Sequence, residues 1–292
     1  MLKITDFRSL ANPISEKEFL LFREYIMKHS GISIAPEKSY LIETRLSKLM
    51  TDSGTDSFSD FYEYIMSMKD PLMPQKIINA ITINETSWFR DDAPWMILEN
   101  ILLPKLIDEL TKGNRTQVRI WSAAASTGQE IYSTAMCIDN YLRKEEIKGV
   151  DLSDFEFFAT DISSHVLDIA KKGRYNSISI KRGLSYYYKT EYFVEDDAAW
   201  DIAPKIKNAV KFERFNLQNS YYALGKFDII FCRYVLIYFS DSQKKEVIAK
   251  MHDALNENGV FFTGNYALYD MFTDNYNANY YGNLTYYTKK GG

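Results

Sequence analysis

The sequence predicts a doubly wound α/β domain preceded by a helical one. Three observations carry that expectation. The stretch from Val118 to Met136 (VRIWSAAASTGQEIYSTAM) runs from a short apolar strand through small turn residues to Gly128, then into helical spacing at Ile131, Ala135 and Ile138. Strand-like runs recur after it in FEFFATD, KFERFNL, FDIIF and GVFFTG, with helical or polar segments between them. Residues 15–80, by contrast, read as helices. Such a sheet binds ligands beyond the carboxyl ends of its strands.

Size and composition bound the rest. A chain of 292 residues suggests about two domains, and 46% hydrophobic content suits a folded globular protein. A net charge of -4 argues against a general nucleic-acid binder. No apolar run reaches the length of a membrane span, and no basic-then-apolar leader opens the chain. Cys137 and Cys232 both lie in apolar segments, as buried thiols in a reducing cytosol would. A cytoplasmic protein without membrane insertion or metal is therefore expected. The 3 histidines, His29, His165 and His252, fall in separate helical regions, so triads and His-rich metal sites have little support.

In chain order, Ser15 and Glu18 form a capping box ahead of Phe19, Phe22, Tyr25 and Ile26. Gly31 stops that helix and Pro36 opens the next, whose Leu41, Ile42, Leu46 and Leu49 make an apolar stripe. Its other face carries Lys38, Arg45 and Lys48 against Glu43 alone, and reads equally as a solvated face or as a docking surface for an acidic partner. A third helix is expected from Asp60 to Met68, after the turn-rich TDSGTDS. Residues 81–95 (ITINETSWFRDDAPW) form the junction between domains and gather Asn84, Thr86 and Arg90. An arginine beside Trp88 and Phe89 can present a charged fork to a carboxylate, or pair with Asp91 or Asp92.

The central turn, Ser122 to Gly128, lacks both G-x-G-x-x-G and the P-loop pattern, so no pyrophosphate cradle is spelled out. Its small residues suit a nucleoside without phosphates, or tight packing alone. The helix after it runs from Glu130 to about Leu142. FEFFATDIS then makes a second strand ending at Asp161, where an acidic residue can bind a ribose diol, and Asp161 or Ser163 can start the next helix, two roles compatible with one site. Residues 174–212 interrupt the alternation with a tyrosine-rich segment, read as a small inserted subdomain of antiparallel strands. KFERFNL supplies a strand ending near Asn216 and Leu217, and FDIIFCRYVLIYF another that ends in Arg233. Gln243 to Leu255 is an amphipathic helix with a polar end at NENG, followed by the strand GVFFTG. DNYNANYYGN reads as a loop or hairpin tip before a last strand, LTYYTKK.

Taken together, NETSWFR, WSAAASTGQE-x-YS, ATDIS, the Asn216–Leu217 pair and FCR-x-VLIYF resemble, in order and spacing, the CheR family of chemoreceptor methyltransferases. The likeness spans nearly the whole chain. It implies an N-terminal helical, receptor-facing domain (1–82) and a Rossmann-like class I methyltransferase domain (83–292) with the β-subdomain inserted at about 174–212. The implied reaction moves a methyl group from S-adenosylmethionine to receptor glutamates, leaving S-adenosylhomocysteine. Carried over by position, Thr86 and Arg90 face the donor's methionine end and the substrate, with Asn84 beside them. Ala123 and the turn to Gln129 lie beneath the donor, Asp161 holds the ribose, and Asn216 and Leu217 contact the adenine. Arg233, Tyr234 and Tyr238 border the transfer centre, with Arg90, Arg233 and Tyr238 in the catalytic roles. The implied partners are receptor cytoplasmic helices, docked through Lys38, Arg45 and Lys48. In some members a receptor tail peptide binds at the β-subdomain.

Departures from the family pattern are local. Gln129-Glu130-Ile131 stands where Glu-Glu-Pro is usual, Tyr234 where Asn is usual, and Gly264-Asn265-Tyr266-Ala267 where Gly-His-Ser-Glu is usual. They leave two alternatives: a relative of low or no turnover that binds donor or product as a receptor-interaction module, and a methyltransferase for another acceptor. A glutamate carboxylate is already ionised at pH 7, so the implied reaction needs placement rather than a base. The scarcity of histidine agrees.

Overall fold

The computed structural model describes residues 13–264, 275–282 and 284–290. The chain divides into two units, Met1–Ile83 and Asn84–Gly292. Residues 265–267, where the last family departure falls, lie outside the described residues.

The first unit is helical: α1 (Glu16–Ser30), α2 (Ser39–Asp52), α3 (Phe58–Met66) and α4 (Met73–Ile81). Ser15 and Glu18 close the capping box on α1, and Gly31 ends it at φ 77°. Pro36 begins a single 3-10 turn that leads into α2. α3 starts two residues earlier than the apolar spacing suggests, because Ser57 caps it by accepting the Asp60 N–H. The unit closes around Phe22, which stacks on Phe61 and meets Phe58 and Tyr62 edge-on.

The basic face of α2 is not what its composition suggests. Arg45 Nη1 donates to the carbonyls of Ala80, Ile81 and Thr82 at 3.1, 3.3 and 3.0 Å, satisfying the last turn of α4. It is half-buried and ties α2 to α4, whereas Lys38 and Lys48 are exposed. Of the three cations read as one face, Lys38 and Lys48 are exposed, while Arg45 is engaged at the end of α4. Sequence spacing places Arg45 on the polar face but cannot reveal that a neighbouring helix ends beside it.

The second unit contains α5 (Ala93–Ile97), a π-helical turn (Leu98–Leu102), α6 (Leu103–Thr111), β1 (Val118–Ala123), α7 (Gln129–Lys144), β2 (Phe155–Asp161) and α8 (Ser164–Lys172). The insertion follows, with β3 (Arg174–Asn176), α9 (Ser177–Lys181), α10 (Tyr186–Tyr192), β4 (Phe193–Asp196), β5 (Ala199–Ile202) and α11 (Pro204–Ala209). The main chain of strands resumes with β6 (Val210–Arg214), β7 (Phe227–Phe231), α12 (Asp241–Ala254), β8 (Leu255–Phe262), β9 (Tyr276–Tyr281) and β10 (Leu284–Lys289).

The main sheet has the order β6-β2-β1-β7-β8-β10-β9, parallel from β6 to β8 and antiparallel at β10 and β9. Alternation along each strand feeds two cores. Ile120, Phe157, Ile229 and Phe231 pack toward Ile131, Ala135 and Ile138 of α7, and Trp121, Phe158, Ile230 and Phe261 toward Val247, Ile248 and Met251 of α12. Burial on both faces explains the nearly continuous apolar strands.

The hairpin-tip reading of DNYNANYYGN is corrected: Tyr276–Tyr281 is a full strand paired along its length with β10. Tyr276 is buried, stacks on Phe261 and donates its hydroxyl to the Ile248 carbonyl. That packing overrides the low strand propensity of the asparagines. Similarly, β8 begins at Leu255 and runs through the polar NENG stretch, with a register shift opposite Phe227–Ile229.

The insertion forms its own antiparallel sheet, β3-β5-β4. The junction loop is pinned to it at Trp88, a fully buried ring set edge-on to Tyr175 and Phe193, with its indole N–H on the Ser179 carbonyl. The Trp88 N–H also donates to Arg182 at 3.0 Å, and a Cβ on Gly183 (φ +90°) would stand 2.1 Å from the Trp88 carbonyl oxygen. Gly183→Ala is therefore expected to destabilise the second unit by about 3 kcal/mol. Urea unfolding of the variant checks this, and a loss under about 0.5 kcal/mol would mean the loop shifts aside freely.

Candidate active site

The neighbours of β1 run in opposite sequence directions, toward β2 on one side and β7 on the other, so the switch point of the sheet lies at the carboxyl end of β1. The turn leaving β1 is sharply folded. Ala124, Ser126 and Gly128 all have positive φ (65°, 51° and 93°). At Gly128 a Cβ would lie 3.0 Å from the Ala170 side chain and 3.1 Å from the Tyr132 ring, so both the dihedral and the space demand glycine. The turn is anchored at several points. Ala125 N–H donates to the Thr160 carbonyl at 2.8 Å, Ser126 Oγ to the Asn84 carbonyl at 2.8 Å, and the Tyr175 hydroxyl to the Thr127 carbonyl at 2.7 Å.

Asp161 organises this end of the sheet. One carboxylate oxygen accepts the Ser126 N–H and the other the Ser163 N–H, both at 2.9 Å. The residue is buried, and burial pushes its carboxyl above the ordinary aspartate value while the backbone N–H groups pull the other way. Of the two roles read from the sequence, the helix start falls to Ser163, the N-cap of α8, and Asp161 accepts its amide. The Ile162 amide hydrogen-bonds to the carboxylate as well, and two carboxylate oxygens can accept about four hydrogen bonds in all. Directly after β6, Phe215 N–H donates to the Asp161 carbonyl at 2.9 Å, bringing Asn216 and Leu217 alongside. Asn216 Oδ1 accepts the Gln218 N–H at 3.0 Å in an Asx turn, and Leu217 is buried in the core with Trp121 and Ala123.

A second cluster forms around Arg233, just past β7. Its side chain is 1% exposed and binds two carboxylates, Asp91 at 2.7 Å and Glu130 at 2.9 Å. Arg233 Nη2 also donates to the Arg90 carbonyl at 2.5 Å, and Glu130 accepts the Ser122 hydroxyl at 2.7 Å. Arg233 is thus sealed beneath the site, fastening the junction loop and α7 to β7. The Tyr234 hydroxyl donates to Asp91, and the Arg90 guanidinium lies 3.7 Å above the Tyr234 ring. Arg90 also donates to the Glu85 carbonyl at 3.2 Å. The ion pair of Arg90 with Asp91 that the sequence left open does not form, because Arg233 and Tyr234 occupy Asp91.

The expected residues therefore fall into groups. Arg90, Arg233 and Tyr234 meet in one cluster; Asn84, Asp161, Asn216 and Leu217 meet around the β1 turn. Ala123 is buried at the end of β1, Thr86 is half-buried in the junction, and Tyr238 is half-buried in a 3-10 turn, Leu236–Tyr238. Gln129 is buried and accepts the Thr127 hydroxyl at 2.7 Å. Sequence reading named Asp91 only as a partner of Arg90, placed Ser122 and Ser126 in the turn and Glu130 in the altered pattern, and gave none of the four a role in the site. The signal for two of them was adjacency, since Asp91 follows Arg90 and Glu130 follows Gln129. For Ser126 only the fold reveals the link to Asp161. Cys137 and Cys232 are buried, and burial raises both thiols far from reactivity.

Residues 84–278 match the model of the CheR methyltransferase S-adenosylmethionine-binding domain, and residues 17–82 that of the CheR all-alpha domain. Among similar proteins, chemotaxis protein methyltransferase Cher2 of Pseudomonas putida is 39% identical over 85% of this chain and 88% of its own length. Chemotaxis protein methyltransferase 1 of Pseudomonas aeruginosa is 39% identical over the same shares of the two chains. A chemotaxis protein methyltransferase of Vibrio anguillarum is 38% identical over 86% of this chain and 89% of its own length. The helical first unit, the mostly parallel sheet with its antiparallel end and the anchored turn after β1 accord with those matches, and the chain belongs to the CheR methyltransferase family.

Proposed function

We propose that this protein transfers a methyl group from S-adenosylmethionine to glutamate carboxylates on the cytoplasmic helices of chemoreceptors. The observation that carries the reading is the joint placement of an anchored turn, a buried aspartate and an arginine lying over Tyr234 near the switch point of the sheet. When bound, S-adenosylmethionine supplies a methyl group activated by a sulfonium, so an ionised carboxylate accepts it with no proton to remove. Asp161 offers its remaining lone pairs to the ribose hydroxyls, and Asn216 and Leu217 flank the adenine. Asn84, Thr86, Ala123 and Gln129 line the approach to the methionine end. Arg90 attracts the carboxylates of donor and acceptor, Tyr238 adds a hydroxyl donor, and Arg233 keeps the junction in register.

Residues 1–82 serve receptor docking and 83–292 the chemistry, with the insertion at about 174–212 available to a receptor tail peptide; the protein works in the cytoplasm. Labelled donor and chemoreceptor-bearing membranes test this reading. Base-labile label should enter the receptor, as a methyl ester would. Donor binding without transfer to any receptor would overturn the acceptor assignment. In the same assay, K38E combined with K48E should raise the acceptor KM about tenfold while leaving the donor Kd unchanged. Equal effects on both would refute docking through that face.

A further inference from the structure

Tyr234 stands at a crossing of three loops. Its φ of 59° is a conformation that aromatic residues rarely adopt. The Arg90 guanidinium covers that ring at 3.7 Å. Gly264, two residues past β8, comes close as well, since a Cβ there (φ +81°) would lie 3.2 Å from the ring. The hydroxyl donates to the same Asp91 oxygen that accepts Arg233 Nη2. Phe89 and Asp91, on either side of Arg90, are also left-handed (φ 45° and 59°), so the junction turns sharply at both flanks of the arginine. Such a conformation persists only where its surroundings hold it. Here the holders are the Phe89 N–H on Ser133 Oγ, Arg233 on the Arg90 carbonyl, and Tyr234 on Asp91.

The charges divide accordingly. Asp91 and Glu130 pair with Arg233. Among the described residues no carboxylate forms an ion pair with Arg90, whose charge rests on an aromatic face and one carbonyl. A guanidinium held over a ring leaves N–H groups free for a carboxylate, which its planar fork can bind at two points.

Building on the donor-site reading above, we propose that Tyr234 is a positioning residue: its ring orients the Arg90 guanidinium, so that Arg90 is aimed before any anionic ligand arrives, while its hydroxyl joins Arg233 on Asp91. The ring and the hydroxyl do separable work. Tyr234→Phe keeps the platform, Tyr234→Leu removes it, and Arg90→Lys keeps a charge that cannot stack as a plane.

Two measurements test the assignment. In ligand-free protein, the NMR order parameter of the Arg90 Nε–H should be high in the wild type and in Y234F, and should fall in Y234L. By calorimetry, Y234L should weaken S-adenosylmethionine binding about tenfold in the wild-type background and less than about threefold in the R90K background, with Y234F within about threefold of wild type. An Arg90 side chain equally ordered with and without the ring, or the same loss from Y234L in both backgrounds, would overturn it. Wild-type protein that binds no S-adenosylmethionine, yet loses Arg90 order in Y234L, would sink the donor-site reading and leave the positioning role standing.

Discussion

Replacing Arg233 with alanine is expected to cost the second unit about 3–5 kcal/mol of stability, the range for breaking a buried ion pair by removing one partner. The guanidinium is 1% exposed and holds the carboxylates of Asp91 and Glu130 together with the Arg90 carbonyl. Without it two acids remain close together with their counter-charge gone, and the cheapest relief is for the junction loop to leave the site. Donor binding should therefore be lost along with stability. Arg233→Lys retains the charge but spans at most part of the fork, and should recover less than half of the lost stability. Chemical unfolding followed by tryptophan fluorescence measures both variants. An R233A protein within about 1 kcal/mol of wild type would show that Asp91 and Glu130 find other partners.

Asp161→Ala is expected to weaken S-adenosylmethionine binding at least about 100-fold, or about 2.7 kcal/mol. Two effects combine in this variant. The Ser126 and Ser163 amides lose their acceptor, which loosens both the β1 turn and the start of α8, and the carboxylate proposed to take the ribose hydroxyls is gone. Calorimetric titration of wild type and variant reads the difference, and a loss smaller than about fivefold in a folded variant would reject Asp161 as a donor-site residue.

The same group gives a pH dependence whose sign follows from its burial. Burial raises the folded-state pKa of Asp161 above its unfolded value, so acidification protonates it before an exposed aspartate would be. Protonation removes acceptor capacity, and donor affinity should fall as the pH drops through that raised value. The stability term runs the other way. A carboxyl with a raised folded pKa favours the fold at low pH, and that contribution is lost as pH rises from the unfolded pKa through the folded one. Donor titrations below neutral pH should therefore weaken in wild type, with the Asp161 contribution absent in D161A.

Much of the site was legible because its residues are close in sequence to the motifs that define the strands. Asp161 ends an apolar strand, Asn216 and Leu217 follow another, and Arg233 and Tyr234 follow a third, so the alternation of strands and helices brings them to one edge of the sheet. Asp91 and Glu130 escaped because a sequence shows charges but not which of several nearby arginines they face. Arg90, Arg45 and Arg233 illustrate the difference. All three read as cations available to a ligand or partner, yet Arg45 is spent on the carbonyls of α4 and Arg233 on two buried acids.

The sequence by itself determined the helical first unit, the α/β sheet with its β1 turn and the interruption near residue 174. Periodicity, capping residues and small-residue turns are local properties, and neighbouring residues express them wherever the chain lies. Only the tertiary structure decided that residues 276–281 form a strand, which arginine is sealed in and which lies over a tyrosine ring, and that Asp161 grips the β1 turn. Each of those outcomes depends on groups far apart in the chain, and burial and charge pairing act on distance in space.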